Sequence, residues 1–152
     1  MPTLTTFLTF NDQAEEAVRH YLSIFESGKI HRVVPGPGGK ALTVDFELFG
    51  QRMVALNGGP TFVFSQAFSL LVTCDTQAEI DRYWAKLTAD GGKEVQCGWL
   101  TDKFGVSWQI VPKALMEFIG SKDQAKAGRA MQAMMKMQKL DIAELQRAYD
   151  GN

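Results

Sequence analysis

Cys97–Pro112 has the sequence CGWLTDKFGVSWQIVP, and its reading decides the fold. An apolar run leads into Asp102-Lys103-Phe104-Gly105, and a second run with Trp and β-branched residues stops at Pro112. Gly supplies the positive φ that a tight turn needs, and the flanking alternation is that of strands, so the stretch is expected to be a β-hairpin. Phe46–Asn57, FELFGQRMVALN, echoes it, again with Phe-Gly between two strand patterns.

Working outward from the echo, the chain is read as one pattern used twice. Leu4–Phe10 reads as a strand. A helix capped by Asn11 or Asp12 follows to about Phe25, with Ala14, Ala17, Val18, Tyr21 and Phe25 as its apolar stripe. Gly28 stops it, Lys29–Val34 reads as a strand and Pro35–Gly39 as a loop, and Ala41–Leu48 with Arg52–Asn57 forms the first hairpin. The pattern then restarts. Phe68–Thr73 is a strand, Asp75 or Thr76 caps a helix carrying Ile80, Tyr83, Trp84 and Leu87, Gly91-Gly92 ends it, and a strand to about Gln96 precedes the second hairpin. Leu8 falls on Leu71, Asp12 on Asp75, Tyr21 on Trp84 and Gly28 on Gly91. The element order is therefore βαβββ–βαβββ, a duplicated module.

After Pro112 the composition changes. Ala114–Ile119 and Gln124–Gln138 read as helices, the second rich in Met, and a last helix starts at Leu140-Asp141-Ile142. A Met stripe at helical spacing is ordinarily packing surface. The expected fold class is α+β, with a first module over 1–60, a second over 61–112 and a helical tail over 113–152, all in one structural domain.

The 152 residues are 45% hydrophobic and 22% charged, with a net charge of −1. This balance, without a Lys/Arg cluster, argues against nucleic acid as a partner. No apolar run approaches the length of a membrane span, and Met1–Phe10 lacks the basic start and cleavage site of an export signal. Cys74 and Cys97 are accordingly expected to be free thiols in a cytoplasmic protein.

Two βαβββ modules with these turns resemble the vicinal-oxygen-chelate superfamily of glyoxalase I, extradiol dioxygenases and the bleomycin- and fosfomycin-resistance proteins. The segments TFLTFNDQAEEAVRHYLSIF, VALNGGP, QAEIDRYWAKL, QCGWLTDKFGVSWQIVP and MQAMMKMQKLDIAEL are similar to the PhnB-like branch, whose members carry the label 3-demethylubiquinone-9 3-methyltransferase-like. The resemblance implies mixed sheets curled around a cleft, helices outside, and a homodimer. The methyltransferase label has no support in the residues: no Gly-rich turn joins a strand to a helix where S-adenosylmethionine could be held.

Strand parity predicts the cleft. If each Phe-Gly is a two-residue loop, Glu47 faces Arg52, Asp45 faces Val54 and Thr43 faces Leu56, all on one side, with Val44, Phe46, Leu48, Met53 and Ala55 under helices. The same rule puts Leu100, Asp102, Ser107, Gln109 and Val111 in the cleft of the second module, and Trp99, Trp108 and Ile110 under its helix. The resemblance also implies four metal-ligand positions, on the first and last strand of each module. They fall on Thr5, Val54, Phe68 and Gln109, of which only Gln109 has a donor of any use, so neither a metal nor another cofactor is expected.

The expected site is thus a pocket walled by Phe7, Val54, Leu56, Phe68, Leu70, Val72, Leu100 and Val111. Thr5, Thr43, Asp45, Arg52 and Gln109 supply its polar contacts for a small apolar or aromatic molecule. His20 and His31 lie on different elements and read as surface or packing residues. Two rivals stand beside this reading. One is a superfamily-type enzyme, either metal-dependent or with a buried Asp45 as general base. The other is a structural or partner-binding dimer that works through its Met-rich tail.

Overall fold

A computed structural model describes Met1–Asn152, and its α-carbons cluster into two units, Met1–Phe64 and Ser65–Asn152. The first contains strand β1 (Thr6–Phe10), helix α1 (Ala14–Phe25), β2 (Gly28–Pro35), β3 (Ala41–Leu48) and β4 (Gln51–Asn57). The second contains β5 (Leu70–Cys74), α2 (Gln77–Thr88), β6 (Lys93–Glu94), β7 (Trp99–Thr101), β8 (Ser107–Pro112), α3 (Lys113–Ile119), α4 (Gln124–Met135) and α5 (Ile142–Asp150). The two sheets have the same layout, β1-β4-β3-β2 and β5-β8-β7-β6, each with a parallel first pair and antiparallel neighbours. The expected βαβββ repeat is present.

In the first unit α1 buries Ala14, Ala17, Val18, Tyr21, Ile24 and Phe25, the spacing of one helical face. Packed against β3 and β4, this stripe shares a core with Leu8, Phe10, Val44, Phe46, Leu48, Met53 and Ala55. Each large side chain so buried contributes about 1.5–3 kcal/mol of transfer free energy. Neither Asn11 nor Asp12 caps α1. Asn57 does so from the end of β4: its Oδ1 accepts the Ala14 N–H at 2.9 Å, and its Nδ2 donates to the Ala41 carbonyl at 2.8 Å. One side chain thereby ties the helix start to two strands, which local sequence signals do not reveal.

Phe49 and Gly50 both have positive φ, 49° and 79°. They form the two-residue turn whose twist matches that of antiparallel strands. The register is as expected, Glu47 opposite Arg52, Asp45 opposite Val54 and Thr43 opposite Leu56.

The second hairpin departs from that rule. Its loop runs from Asp102 to Val106, because Thr101 pairs with Ser107, Leu100 with Trp108 and Trp99 with Gln109. The cause is Asp102, only 2% exposed. Its Oδ1 accepts the Phe104 and Val106 N–H groups at 2.9 and 3.0 Å, and its Oδ2 accepts the Trp108 indole N–H at 2.8 Å. A carboxylate satisfied by two backbone donors holds the loop open, and the extra residues invert the parity of β7. Leu100 therefore lies fully buried beside Trp108, and Trp99 turns to the other face with Gln109. Both placements correct the expectation, and Asp102 belongs to the turn rather than to a cleft.

Helix α2 starts at Thr76, whose Oγ1 accepts the Glu79 N–H at 3.2 Å and donates to the Glu79 carboxylate at 3.1 Å. Its Ile80, Tyr83, Trp84 and Leu87 form the core with Cys74, Leu100, Trp108 and Ile110. The strand expected to reach Gln96 is only Lys93–Glu94.

The tail packs on its own unit. Ala130, Leu140 and Leu145 are fully buried in a cluster with Val111, Leu115 and Phe118. The Cys97 and Gly98 N–H groups donate to the Met137 and Gln138 carbonyls, each at 2.8 Å. Gln77 clamps the far side: its Nε2 donates to the Leu140 carbonyl at 3.0 Å and its Oε1 accepts the Ile142 N–H at 2.8 Å. No helix is long and apolar enough to cross a membrane.

Candidate functional site

In the first unit the sheet face away from α1 collects Phe7 and Thr9 of β1, Arg52, Val54 and Leu56 of β4, and Thr43, Asp45 and Glu47 of β3, as the registers require. Phe7 is 58% exposed and stands beside Val54 in register, with Val54 and Leu56 half-buried. Together they make an apolar strip along β1 and β4. Of the residues expected to line a pocket, Phe7, Thr43, Asp45, Arg52, Val54 and Leu56 thus share one face. Thr5 is exposed, just before β1.

The other half of this face is charged. Arg52 reaches diagonally to Asp45 rather than straight across to Glu47, its Nε and Nη2 donating to the two carboxylate oxygens at 3.2 and 2.6 Å. This fork raises the Arg52 pKa further above its ordinary value, chiefly through the hydrogen bonds to Asp45. Asp45 is 33% exposed by side chain and has both oxygens engaged, so it is not the isolated buried carboxyl that a general base here would need.

Glu47 turns instead to His31, with Nε2 and Oε1 2.9 Å apart. His31 reaches it because β2 carries a bulge: Ile30 pairs with Phe46 and Arg32 with Asp45, leaving His31 as the extra residue. Bulges re-aim side chains in this way. Lys29 and Arg32 stand in register with Glu47 and Asp45 on the same face. Sequence reasoning did not single out Lys29 or Arg32, and it read His31 as a surface or packing residue without its Glu47 partner, since nothing in GKIHRVVP announces a bulge.

The second unit distributes its expected residues differently. Leu70 and Val72 pair with Trp108 and Ile110 and lie on the α2 side. The face away from α2 takes Leu71 and Thr73, opposite Gln109 and Val111. The reason is one residue of linker. The helices correspond with Ala14 on Gln77, but Asn11-Asp12-Gln13 precedes α1 and only Asp75-Thr76 precedes α2, so the strands correspond with Leu8 on Val72. Phe68 precedes β5 and is 51% exposed. Val111 is buried among the tail helices rather than lining a pocket. Gln109 donates from Nε2 to Ser69 Oγ at 2.9 Å.

The metal used by enzymes of this superfamily does not fit these residues. The pairs that join the first and last strands on the faces away from the helices are Phe7–Val54 and Thr9–Leu56 in the first unit, and Leu71–Gln109 and Thr73–Val111 in the second, the two threonine hydroxyls being poor neutral ligands. Hydrocarbon side chains hold no divalent ion, and the one amide is a weak neutral donor. No group of three or more His, Cys, Asp or Glu side chains is placed to hold an ion. The strand–helix linkers, Asn11-Asp12-Gln13 and Asp75-Thr76, contain no glycine to admit a cofactor phosphate or carboxylate against backbone.

Two βαβββ units with mixed four-stranded sheets define the glyoxalase/bleomycin-resistance fold. A family model described as 3-demethylubiquinone-9 3-methyltransferase matches residues 2–111. A PhnB protein of Bacillus cereus carrying the same methyltransferase description is 33% identical, over 73% of this chain and 99% of that one, with a TM-score of 0.68. The fold is shared at 13% identity with a fosfomycin-resistance protein of Listeria monocytogenes (77% and 97% covered, TM-score 0.56) and a glyoxalase/bleomycin-resistance protein of Albidiferax ferrireducens (72% and 96%, 0.52). No curated protein matches the chain. The chain belongs to the 3-demethylubiquinone-9 3-methyltransferase family, the PhnB-like branch of the vicinal-oxygen-chelate superfamily. The family match ends before the tail helices.

Proposed function

We propose that the protein binds a small, largely apolar or aromatic molecule on the first unit's sheet face away from α1, without a metal, as a homodimer in the cytoplasm. The observation that carries this reading is the strip Phe7, Val54 and Leu56, apolar side chains that α1 does not cover, bordered by the Asp45–Arg52 fork. Apolar side chains beside a few oriented polar groups are the residue composition of small-molecule sites, and this face has both. Sequestering a ligand needs no catalytic group. The homodimer follows the habit of the superfamily, and both cysteines are free thiols, which accords with a reducing compartment.

Methyl transfer is not part of this proposal, because neither unit offers a glycine-lined strand–helix turn to a methyl donor. Nor is acid–base catalysis by Asp45, which is held by Arg52. Titrating the 15N-labelled protein with naphthalene-2-methanol tests the reading. It should shift amide signals of Phe7, Val54 and Leu56, and Val54→Asp should abolish the response. Shifts confined to Ser65–Asn152, or none at millimolar ligand, would overturn it.

A further inference from the structure

The charged half of the same face has a balance that the binding reading does not use. Its two carboxylates are both engaged, Asp45 by Arg52 and Glu47 by His31. Lys29 and Arg32 stand directly opposite those carboxylates in the ladder, yet form no ion pair or side-chain hydrogen bond. The bulge at His31 produces this arrangement. It brings the imidazole to Glu47, although Lys29 remains that residue's register partner in the ladder. Three fixed cations, Lys29, Arg32 and Arg52, face two carboxylates, so the cluster keeps a positive excess although the chain as a whole is slightly acidic. The pairing on this face is diagonal, and Lys29 and Arg32 stand in register with carboxylates that are engaged elsewhere.

We infer that the ligand is an amphiphilic anion: a flat apolar body on Phe7, Val54 and Leu56, and a carboxylate or similar acid group taken by Lys29 and Arg32. This rests on the proposed binding face and adds the chemistry of its occupant. Both carboxylates stand between the apolar strip and the two cations, in the rows Phe7–Val54–Asp45–Arg32 and Arg52–Glu47–Lys29, and their contacts with Arg52 and His31 engage them along that path. Electrostatic selection of this kind weakens with salt, whereas apolar contact does not.

The test compares two probes of the same shape, 2-naphthoate and naphthalene-2-methanol, by calorimetric titration of the full chain at 20 and 500 mM NaCl. The acid should bind about ten-fold more tightly at low salt, the scale of one hydrogen bond to a charged group, and lose most of that advantage at high salt. The double variant Lys29→Gln/Arg32→Gln, altered only at exposed positions of an edge strand, should bind both probes alike while keeping its affinity for the alcohol. Equal binding of the two probes by the unaltered protein, or an acid preference that survives the double variant, would overturn the inference and leave the binding face standing. Failure of both probes to bind would overturn the face and the inference together.

Discussion

Gln109 Nε2 donates to Ser69 Oγ at 2.9 Å across the parallel β5–β8 pair, two neutral side chains at a place where superfamily enzymes carry metal ligands. Restoring a carboxylate there should not restore a metal site. Gln109→Glu has Leu71 and Trp99 as its register partners, neither of which can ligate a metal. Mn²⁺ titration followed by calorimetry is expected to show no saturable binding in this variant, and a stoichiometric site would mean that further ligands lie nearby.

Asp102 is the residue on which the second hairpin depends. Asp102→Ala leaves the Phe104 and Val106 N–H groups and the Trp108 indole without this acceptor in a partly buried loop. Unpaired buried donors cost about 1–3 kcal/mol each, less whatever water regains. The expected loss is about 2–4 kcal/mol in urea unfolding, with Asp102→Asn milder because its carbonyl still accepts. A loss below about 0.5 kcal/mol, the level of ordinary surface substitutions, would show that the loop is held by something else.

The tail is expected to be part of the second unit's core rather than a detachable appendage. Ending the chain at Gly120 uncovers Val111, Leu115 and Phe118 and removes the acceptors of the Cys97 and Gly98 N–H groups. The shortened chain should be aggregated or molten, with lost near-ultraviolet dichroism, rather than a folded monomer. Gly98→Ala is the milder probe. Gly98 has φ +82°, and a Cβ would stand 2.9 Å from Leu140 Cδ1 and 3.0 Å from the Ile110 carbonyl oxygen. It should lower stability by at least about 1 kcal/mol, measured by denaturant melts.

Cys74 offers a test through pH. Desolvation first, then the charges of Glu79 and Asp75, push its thiol from the usual 9.0 up to about 12. The folded state therefore holds a proton that the unfolded chain releases. The associated stability is complete below pH 9.0 and falls as pH rises toward about 12. Cys74→Ser variants should show a shallower alkaline decline in urea midpoint. In native protein iodoacetamide should label Cys97, half-buried, well before Cys74, which is fully buried. Equal labelling rates would contradict this burial.

How much of this was legible in the sequence depended on turns. The repeat and the first hairpin were readable because Phe49-Gly50 adopts the two-residue turn that its Gly suggests, so parity carried through Asp45, Arg52 and Val54. The same dipeptide at Phe104-Gly105 misled, since Asp102 spends its carboxylate on the loop, and one added turn residue reverses every side chain on a strand. A linker shorter by one residue likewise moved the position on the face away from α2 from the expected Leu70 to Leu71. Long-range ties such as Asn57 capping α1, and the bulge that turns His31 to Glu47, depend on contacts between distant segments and have no local signature.

The central claim is a binding face that works without a metal. Its most direct test is the affinity for naphthalene-2-methanol, measured by calorimetry on protein as purified and again after exhaustive treatment with EDTA. The account predicts one affinity in both preparations. Binding that disappears on chelation and returns with Mn²⁺ or Fe²⁺ would contradict it.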